Sequence, residues 1–380
     1  MKVVVAIDSL KGSLSSLEAG NAISDGIHRV YKDAKVHVRP LADGGEGTVE
    51  ALTIGMGGRI ERISVTGPLE SKVEAAYGII DDTQTAIIEM SAAAGITLIN
   101  EEDKNPLNTT TYGVGELIND AIDKGCRRFI IGIGGSATND GGIGMLQALG
   151  YELLDYNGKQ VALGAKGLQE IEVISDTNVN AKLKECSFKI ACDVTNPLCG
   201  EKGCSAVFGP QKGATSDMIA QMDQWLSRYA ELTKEKYPEA DMNYPGAGAA
   251  GGLGFAFLSY LDATLESGIK IVLEETKLEE YIKEADIVVT GEGRIDGQTI
   301  YGKAPIGVAN IAKKHGKKVI AFAGCVSDDA VLCNEHGIDA YFPIVRGSVT
   351  LQEAMNPDNA RSNMITAVEQ VFRLISICEI

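Results

Sequence analysis

Apolar residues along the chain gather in short, dense runs: "KVVVAID", "KVHVRPLAD", "RRFIIGIGG", "FKIACDV", "ADIVVTGEG", "KKVIAFAG" and "DAYFPI". Most of them end in Gly, Asp or Ser. Unbroken runs of this length suit strands buried on both faces, and hence a parallel sheet covered by helices. Between them lie helical patterns. In "SLSSLEAGNAISDGIHRVY" the residues Leu17, Ile23, Ile27 and Val30 fall at near-helical spacing. "APIGVANIAKKHG" carries Pro305 in its first turn and Gly316 past its end, the usual punctuation of a helix. Strand and helix alternate, so the expected class is α/β with right-handed crossovers.

The segment 59–91 breaks this rhythm. "RIERISVTG", "KVEAAYGII" and "TAIIEMSA" are separated only by short turns at 68–71 and 81–84, which predicts antiparallel strands. The expected organisation is therefore a parallel-sheet domain made from both chain ends, 1–60 plus 265–380, with a mixed-sheet α/β domain, 61–264, inserted into it.

At 380 residues the chain is long enough for two such domains, and 44% hydrophobic with 23% charged residues is a globular profile. Its net charge of −17 disfavours nucleic acid and anionic membranes as partners. If the substrates are anionic, basic residues must be concentrated at the site against that field. The opening "MKVVVAIDSL" is too short and too soon acidic for a signal peptide, and no apolar run approaches the ~20 residues of a membrane span. The eight cysteines lack C-x-x-C spacing, and Cys192, Cys199 and Cys204 have no histidine nearby. Free thiols in a reducing cytoplasm are expected rather than zinc.

The glycine-rich turns carry the chemistry. "GIGGSATNDGG" (132–142) satisfies G-x-G-x-x-A after a strand, and Glu152 or Asp155 stands where an acid could hold a ribose, as in dinucleotide-binding folds. Against that, five residues separate the motif from a helix expected near Gly142, and an Asp beside a phosphate needs a cation. A hydroxylated substrate or a metal-bound phosphate suits this loop better. The plain alternative is a tight turn with Asn139 or Asp140 as helix cap. "GQTIYGKA" (297–304) resembles a P-loop, but Ala304 stands where Ser or Thr would reach Mg2+. It still offers Lys303 and a helix N-terminus to a phosphate, with Glu292 or Asp296 close in sequence. "DSLKGS", "LADGGEGT", "GEGRID" and "CDVTNP" repeat the theme of acids after a strand, where open α/β sheets bind ligands. Their number points to Mg2+-assisted phosphoryl transfer. "GAGAAGG" (246–252) allows close approach to a ligand or to neighbouring backbone.

Taken with "TYGVGELINDA", "NPLCGEKGCSAVFGPQKGA" and "VVTGEGRIDGQTIYGKAPIGVA", these strings resemble the bacterial-type glycerate kinases of the first type, nearly end to end. The departures are Leu10 where Phe is usual and Cys204 where Ala is usual. Neither removes a charge. The resemblance implies a flavodoxin-like domain carrying the inserted domain, and transfer of phosphate from ATP to D-glycerate with Mg2+ in a cleft between them, giving 2-phosphoglycerate. It leaves room for a homo-oligomer.

Roles follow from the chemistry of each side chain. Lys11 and Lys212 supply positive charge for anionic substrates. Ser136, Asn139 and Asp140 join Lys212 as the expected substrate-binding set, and Gly291, Gly293, Gly297 and Lys303 as the nucleotide-binding set. Glu292 with Asp296, and Asp43 with Glu46, are the expected Mg2+ ligands. Asp193 is the expected catalytic base, ahead of Asp8, Asp140 and Asp296, because Thr195 and Asn196 beside it can hydrogen-bond a polyol. Asp8 and Lys11 complete the catalytic set. The competing reading is an NAD-dependent dehydrogenase of a small hydroxy acid. A nucleotide-binding regulator without catalysis is disfavoured by the number of acid loops.

Overall fold

The computed structural model describes residues 1–42 and 47–378, so Asp43 and Glu46, two of the expected metal ligands, lie outside the described residues. The described chain divides into two compact units, one of residues 1–42, 50–56 and 269–378, the other of 47–49 and 57–268. In chain order the strands are β1 (Lys2–Val5), β2 (Lys35–Val38), β3 (Arg59–Thr66), β4 (Lys72–Ile80), β5 (Thr85–Glu89), β6 (Arg128–Gly132) and β7 (Glu152–Leu154). They continue with β8 (Val173–Ser175), β9 (Ser187–Ala191), β10 (Thr264–Glu266), β11 (Ile287–Ile295), β12 (Lys318–Val326) and β13 (Ala340–Pro343).

The first unit holds an all-parallel sheet of order β2-β1-β11-β12-β13. Counted within the unit this is 2-1-3-4-5, the flavodoxin-like winding. Val3, Val4 and Val5 of β1, Val288 and Val289 of β11 and Val319, Ala321 and Phe322 of β12 are all buried, which is why these strands read as continuous apolar runs. Val3, Val5 and Ile7 share a core with Ile23 and Ile27 of the helix Ser16–His28 and with Met364, Val368 and Phe372 of the helix Pro357–Cys378. The first of these helices starts at a capping box. The Glu18 amide donates to Ser15 Oγ at 3.3 Å and the Ser15 amide to the Glu18 carboxylate at 2.8 Å, satisfying two N–H groups that the helix itself cannot. Leu17 and Val30, expected on the same face, are only half-buried. The helix Ala304–Lys314, with proline in its first turn, packs against β11 and β12.

The second unit holds a mixed sheet of order β10-β9-β6-β5-β4-β3. The β3–β4 and β4–β5 pairs are antiparallel, and β5–β6, β6–β9 and β9–β10 are parallel. The segment 59–91 thus forms the antiparallel half, as its short turns predict. β7 and β8 make a separate antiparallel pair. Phe129 of β6 stacks on Phe188 of β9 with ring centroids 4.9 Å apart, and the core extends to Val114, Leu117 and Ile118 of the helix Tyr112–Asp123. No helix among the described residues is long and apolar enough to cross a membrane.

Candidate active site

In the first unit the chain leaves β1 still bonded to β11. The Ala6 amide donates to Val289 O at 2.8 Å and the Asp8 amide to Gly291 O at 3.0 Å. Asp8 therefore emerges at the carboxyl ends of β1 and β11, the point where the winding of the sheet reverses and where this fold class binds ligands. The turn that follows closes on itself. Leu10 and Leu14 exchange backbone hydrogen bonds of 2.9 and 3.1 Å, Gly12 takes φ +77°, and Lys11 stands exposed at the tip.

Across from it, β11 delivers Glu292, Arg294 and Asp296. The Thr299 hydroxyl, itself fully buried, donates to Glu292 Oε1 at 2.7 Å. Lys303 Nζ lies 3.3 Å from Glu292 Oε2 and 3.9 Å from Asp296 Oδ1, and Arg294 Nε lies 3.4 Å from Asp296 Oδ2. Burial pushes the Glu292 carboxyl up, against the pull of Thr299 and Lys303. Lys303 occupies the N-cap position of the helix Ala304–Lys314. These side chains, with Asp8 and Lys11, line a pocket of about 500 Å³, within the size range of small-molecule sites.

The expected nucleotide glycines separate here. A Cβ at Gly291 would stand 1.8 Å from Phe322 O, so that residue is glycine because β12 passes close by. A Cβ at Gly297 would stand 2.5 Å from the Asp329 carboxylate. Neither lines the pocket; Gly293 does. Arg294 is the pocket residue that sequence reasoning missed. It sits between two acids in "GEGRID" and pairs with the second, Asp296.

In the second unit the loop after β6 turns its polar side chains inward. Asp140 is fully buried. Its Oδ2 accepts from the Thr111 amide at 2.8 Å, the Thr111 hydroxyl at 2.9 Å and the Gly144 amide at 3.4 Å, and its Oδ1 accepts from the Gly142 amide at 3.1 Å. Burial pushes its carboxyl up while those four donors pull it down. Asp140 thus caps the helix Ile143–Ala148 and ties it to Thr111, in place of the substrate contact expected of it. Asn139, also fully buried, donates to Ser205 Oγ at 2.8 Å. Lys212, 2% exposed, donates from Nζ to Ser136 Oγ at 2.8 Å and to Thr138 O at 2.6 Å. Desolvation brings its ammonium down to about 8, with Cys204 and Asp140 opposing. The expected substrate set is therefore a buried scaffold, and what it presents outward is the exposed backbone of Gly134 and Gly135.

The same loop rests on "GAGAAGG". Ala250, Gly251 and Gly252 have φ of +52°, +66° and +91°, and a Cβ at Gly251 would stand 2.1 Å from Thr138 O. Between ligand and backbone, the close neighbour of this string is backbone. The dinucleotide fingerprint fails for a related reason. The helix starts only at Ile143, so its N-terminus is occupied by Asp140 instead of facing a pyrophosphate.

Asp193 follows β9 and is exposed, with Oδ1 accepting from the Gly268 amide at 3.1 Å. Thr195 is exposed beside it, but the Asn196 amide donates to Lys202 O at 2.9 Å and is not turned toward a polyol.

Comparison with known proteins gives a consistent result. The model of the family described as "Glycerate kinase family" matches residues 3–376. The chain is 48% identical over 377 residues to Glycerate 2-kinase of Escherichia coli K12, covering 99% of this chain and 98% of that protein. It is 50% identical over 354 residues to Glycerate kinase of Bacillus subtilis 168, covering 93% of each. A crystal structure from Salmonella typhimurium LT2, provisionally assigned as glycerate kinase 2, superposes with a TM-score of 0.92 at 46% identity, covering 100% of this chain and 99% of that one.

Proposed function

The chain belongs to the glycerate kinase family, and on that premise we propose that it transfers the γ-phosphoryl group of ATP to the 2-hydroxyl of D-glycerate, releasing ADP and 2-phospho-D-glycerate. The observation that carries this reading is the first unit's pocket, where three cations, Lys11, Arg294 and Lys303, stand among three carboxylates, Asp8, Glu292 and Asp296. Phosphoryl transfer asks the protein chiefly for positioning and for charge neutralisation. On a chain of net charge −17 the three cations balance the three carboxylates, so the pocket is locally neutral where the rest of the chain is strongly acidic, and a cation entering with the nucleotide would add the positive charge that a triphosphate requires.

Lys11 and Lys303 hold phosphate oxygens, Lys303 with the help of the helix N-terminus on which it sits. Glu292 and Asp296 offer hard oxygen donors in the same pocket, which suits Mg2+ entering with the nucleotide, since that ion takes one or two carboxylates and completes its shell with phosphate and water. Held by these residues, Mg2+ would supply positive charge to the phosphate oxygens. Asp193 accepts the proton of the attacking hydroxyl as the new O–P bond forms and the bond to the ADP oxygen breaks. Its contact with the Gly268 amide fixes the carboxylate for that task. We place the reaction in the cytoplasm, where ATP is at hand and eight free thiols stay reduced.

The comparisons lend no support to the nicotinamide-dependent reading, and the occupied helix start after β6 removes its structural basis. The test is to incubate the protein with ATP, Mg2+ and D-glycerate and to resolve the product against 2- and 3-phosphoglycerate. ADP release that depends on glycerate, with 2-phosphoglycerate formed, is the expected result. The 3-isomer would overturn the regiochemistry, and ADP release that ignores glycerate would overturn the substrate.

A further inference from the structure

The first unit's pocket has a second wall that the charged residues do not explain. Besides the Asp8–Ser13 turn and the Glu292–Asp296 stretch it is lined by Ile344 and Val345, which follow β13, and by Leu351, Ala354 and Met355 of the helix Leu351–Met355. Every side chain that this segment gives the pocket is apolar. Two of them remain exposed to solvent, Leu351 at 75% and Met355 at 36%, with Val349 near them in sequence at 52%. Apolar side chains left uncovered beside a polar site mark a place where something docks.

We propose that this wall receives the purine ring of the nucleotide, with Leu351 and Met355 as the contacts that bind it. The inference rests on the kinase reading and adds the base subsite to it. A nucleoside triphosphate divides as the pocket does, into an anionic end and a flat, weakly polar ring. At about 500 Å³ the pocket has room for both ends at once. Met355 joins the two halves. A Cβ on Gly12 would stand 2.6 Å from the Met355 methyl, so that methyl already rests on the turn that presents Lys11. A polarisable thioether packed there suits an aromatic face.

The wall is preformed. Thr350 and Glu353 make a capping box, the Glu353 amide donating to Thr350 Oγ1 at 3.2 Å and the Thr350 amide to the Glu353 carboxylate at 2.9 Å. The Asn359 side chain donates to Glu353 O at 3.0 Å, fastening the short helix to the one that follows. Binding a base therefore requires little ordering of this segment.

Calorimetric titration of the full chain with ATP and, separately, with inorganic tripolyphosphate, which lacks the base, tests the proposal. Leu351→Asn and Met355→Gln keep size while removing apolar character, and both sites are exposed enough for the fold to tolerate them. We expect ATP affinity to fall about tenfold in the double variant, the scale of a few lost apolar contacts, with tripolyphosphate affinity within about twofold of wild type. Leu351→Ile should retain ATP affinity. Unchanged ATP affinity, or an equal loss for both ligands, overturns the base wall. Glycerate-dependent ADP release by the unaltered protein is scored separately. Turnover with no loss of ATP affinity in the variants leaves the kinase reading standing and removes the wall. Weakened ATP binding in a protein that does not phosphorylate glycerate does the reverse.

Discussion

Lys212 donates to Ser136 at 2.8 Å, so a fully enclosed ammonium holds the glycine loop of the second unit from behind. Burial brings its pKa down to about 8. Between about pH 8 and the ordinary lysine value near 10.5, the unfolded chain keeps this proton and the folded chain releases it, so this group makes stability rise with pH across that window. Below pH 8 it is charged in both states and its burial is a standing cost. Denaturant unfolding of the wild type minus that of Lys212→Met should rise with pH between 8 and 10.5, by at most ~1.4 kcal/mol per pH unit. A flat difference across the window would show that Lys212 titrates normally.

Asp140 should behave as a structural acid. Asp140→Asn turns an acceptor of four hydrogen bonds into a group that must present N–H to at least one of the same donors. We expect a loss of roughly 2–4 kcal/mol in unfolding free energy, typical of breaking a buried charged network. If the variant kept its stability and lost only glycerate affinity, Asp140 would have to be moved back to the substrate.

Glu292→Gln preserves the hydrogen bond from Thr299 but removes the charge that faces Lys303. The Mg2+ concentration giving half-maximal activity should rise about tenfold or more, while the KM for glycerate changes little. Lys303→Ala should raise the KM for ATP and leave the Mg2+ requirement alone. Identical Mg2+ titrations for wild type and Glu292→Gln would take Glu292 away from the metal.

Asp193→Asn keeps the acceptor for the Gly268 amide, so the loop stays in place while the base is lost. A fall in kcat of about 10²–10⁴-fold with little change in glycerate KM is expected, the range for a general base. A change confined to KM would make Asp193 a binding residue.

The strands of the first unit were legible because burial on both faces leaves a dense apolar signature in β1, β11 and β12. The edge strand β2, with alternating exposure, was marked more weakly by "KVHV". The loops were legible as places of interest but not as directions. Nothing local decides whether Asp140 points at a substrate or at its own helix; that depends on Thr111, which another part of the chain delivers. Gly291 looked like a phosphate glycine because the reason for it, Phe322 O, lies on a different strand. Leu351 and Met355 left no periodic signal, since a helix of five residues is too short to show one. They became visible only when folding set both in the pocket wall and Met355 against Gly12.

The parallel sheet of the first unit also fixes an order of events at the ribosome. β1 sits inside its sheet, yet its neighbour β11, which pairs Val3 with Ile287, is made about 280 residues later. At 5–20 residues per second, that separation is a wait of roughly 14–60 s. During it, a strand built to be covered on both faces has neither its second partner nor the carboxyl-terminal helix that packs over Val3 and Val5. The second unit, complete by residue 268, can close its own sheet in that interval. The nascent β1 must be kept from aggregating until β11 emerges, so the need for chaperones should concentrate on the segment that holds β1 and β2.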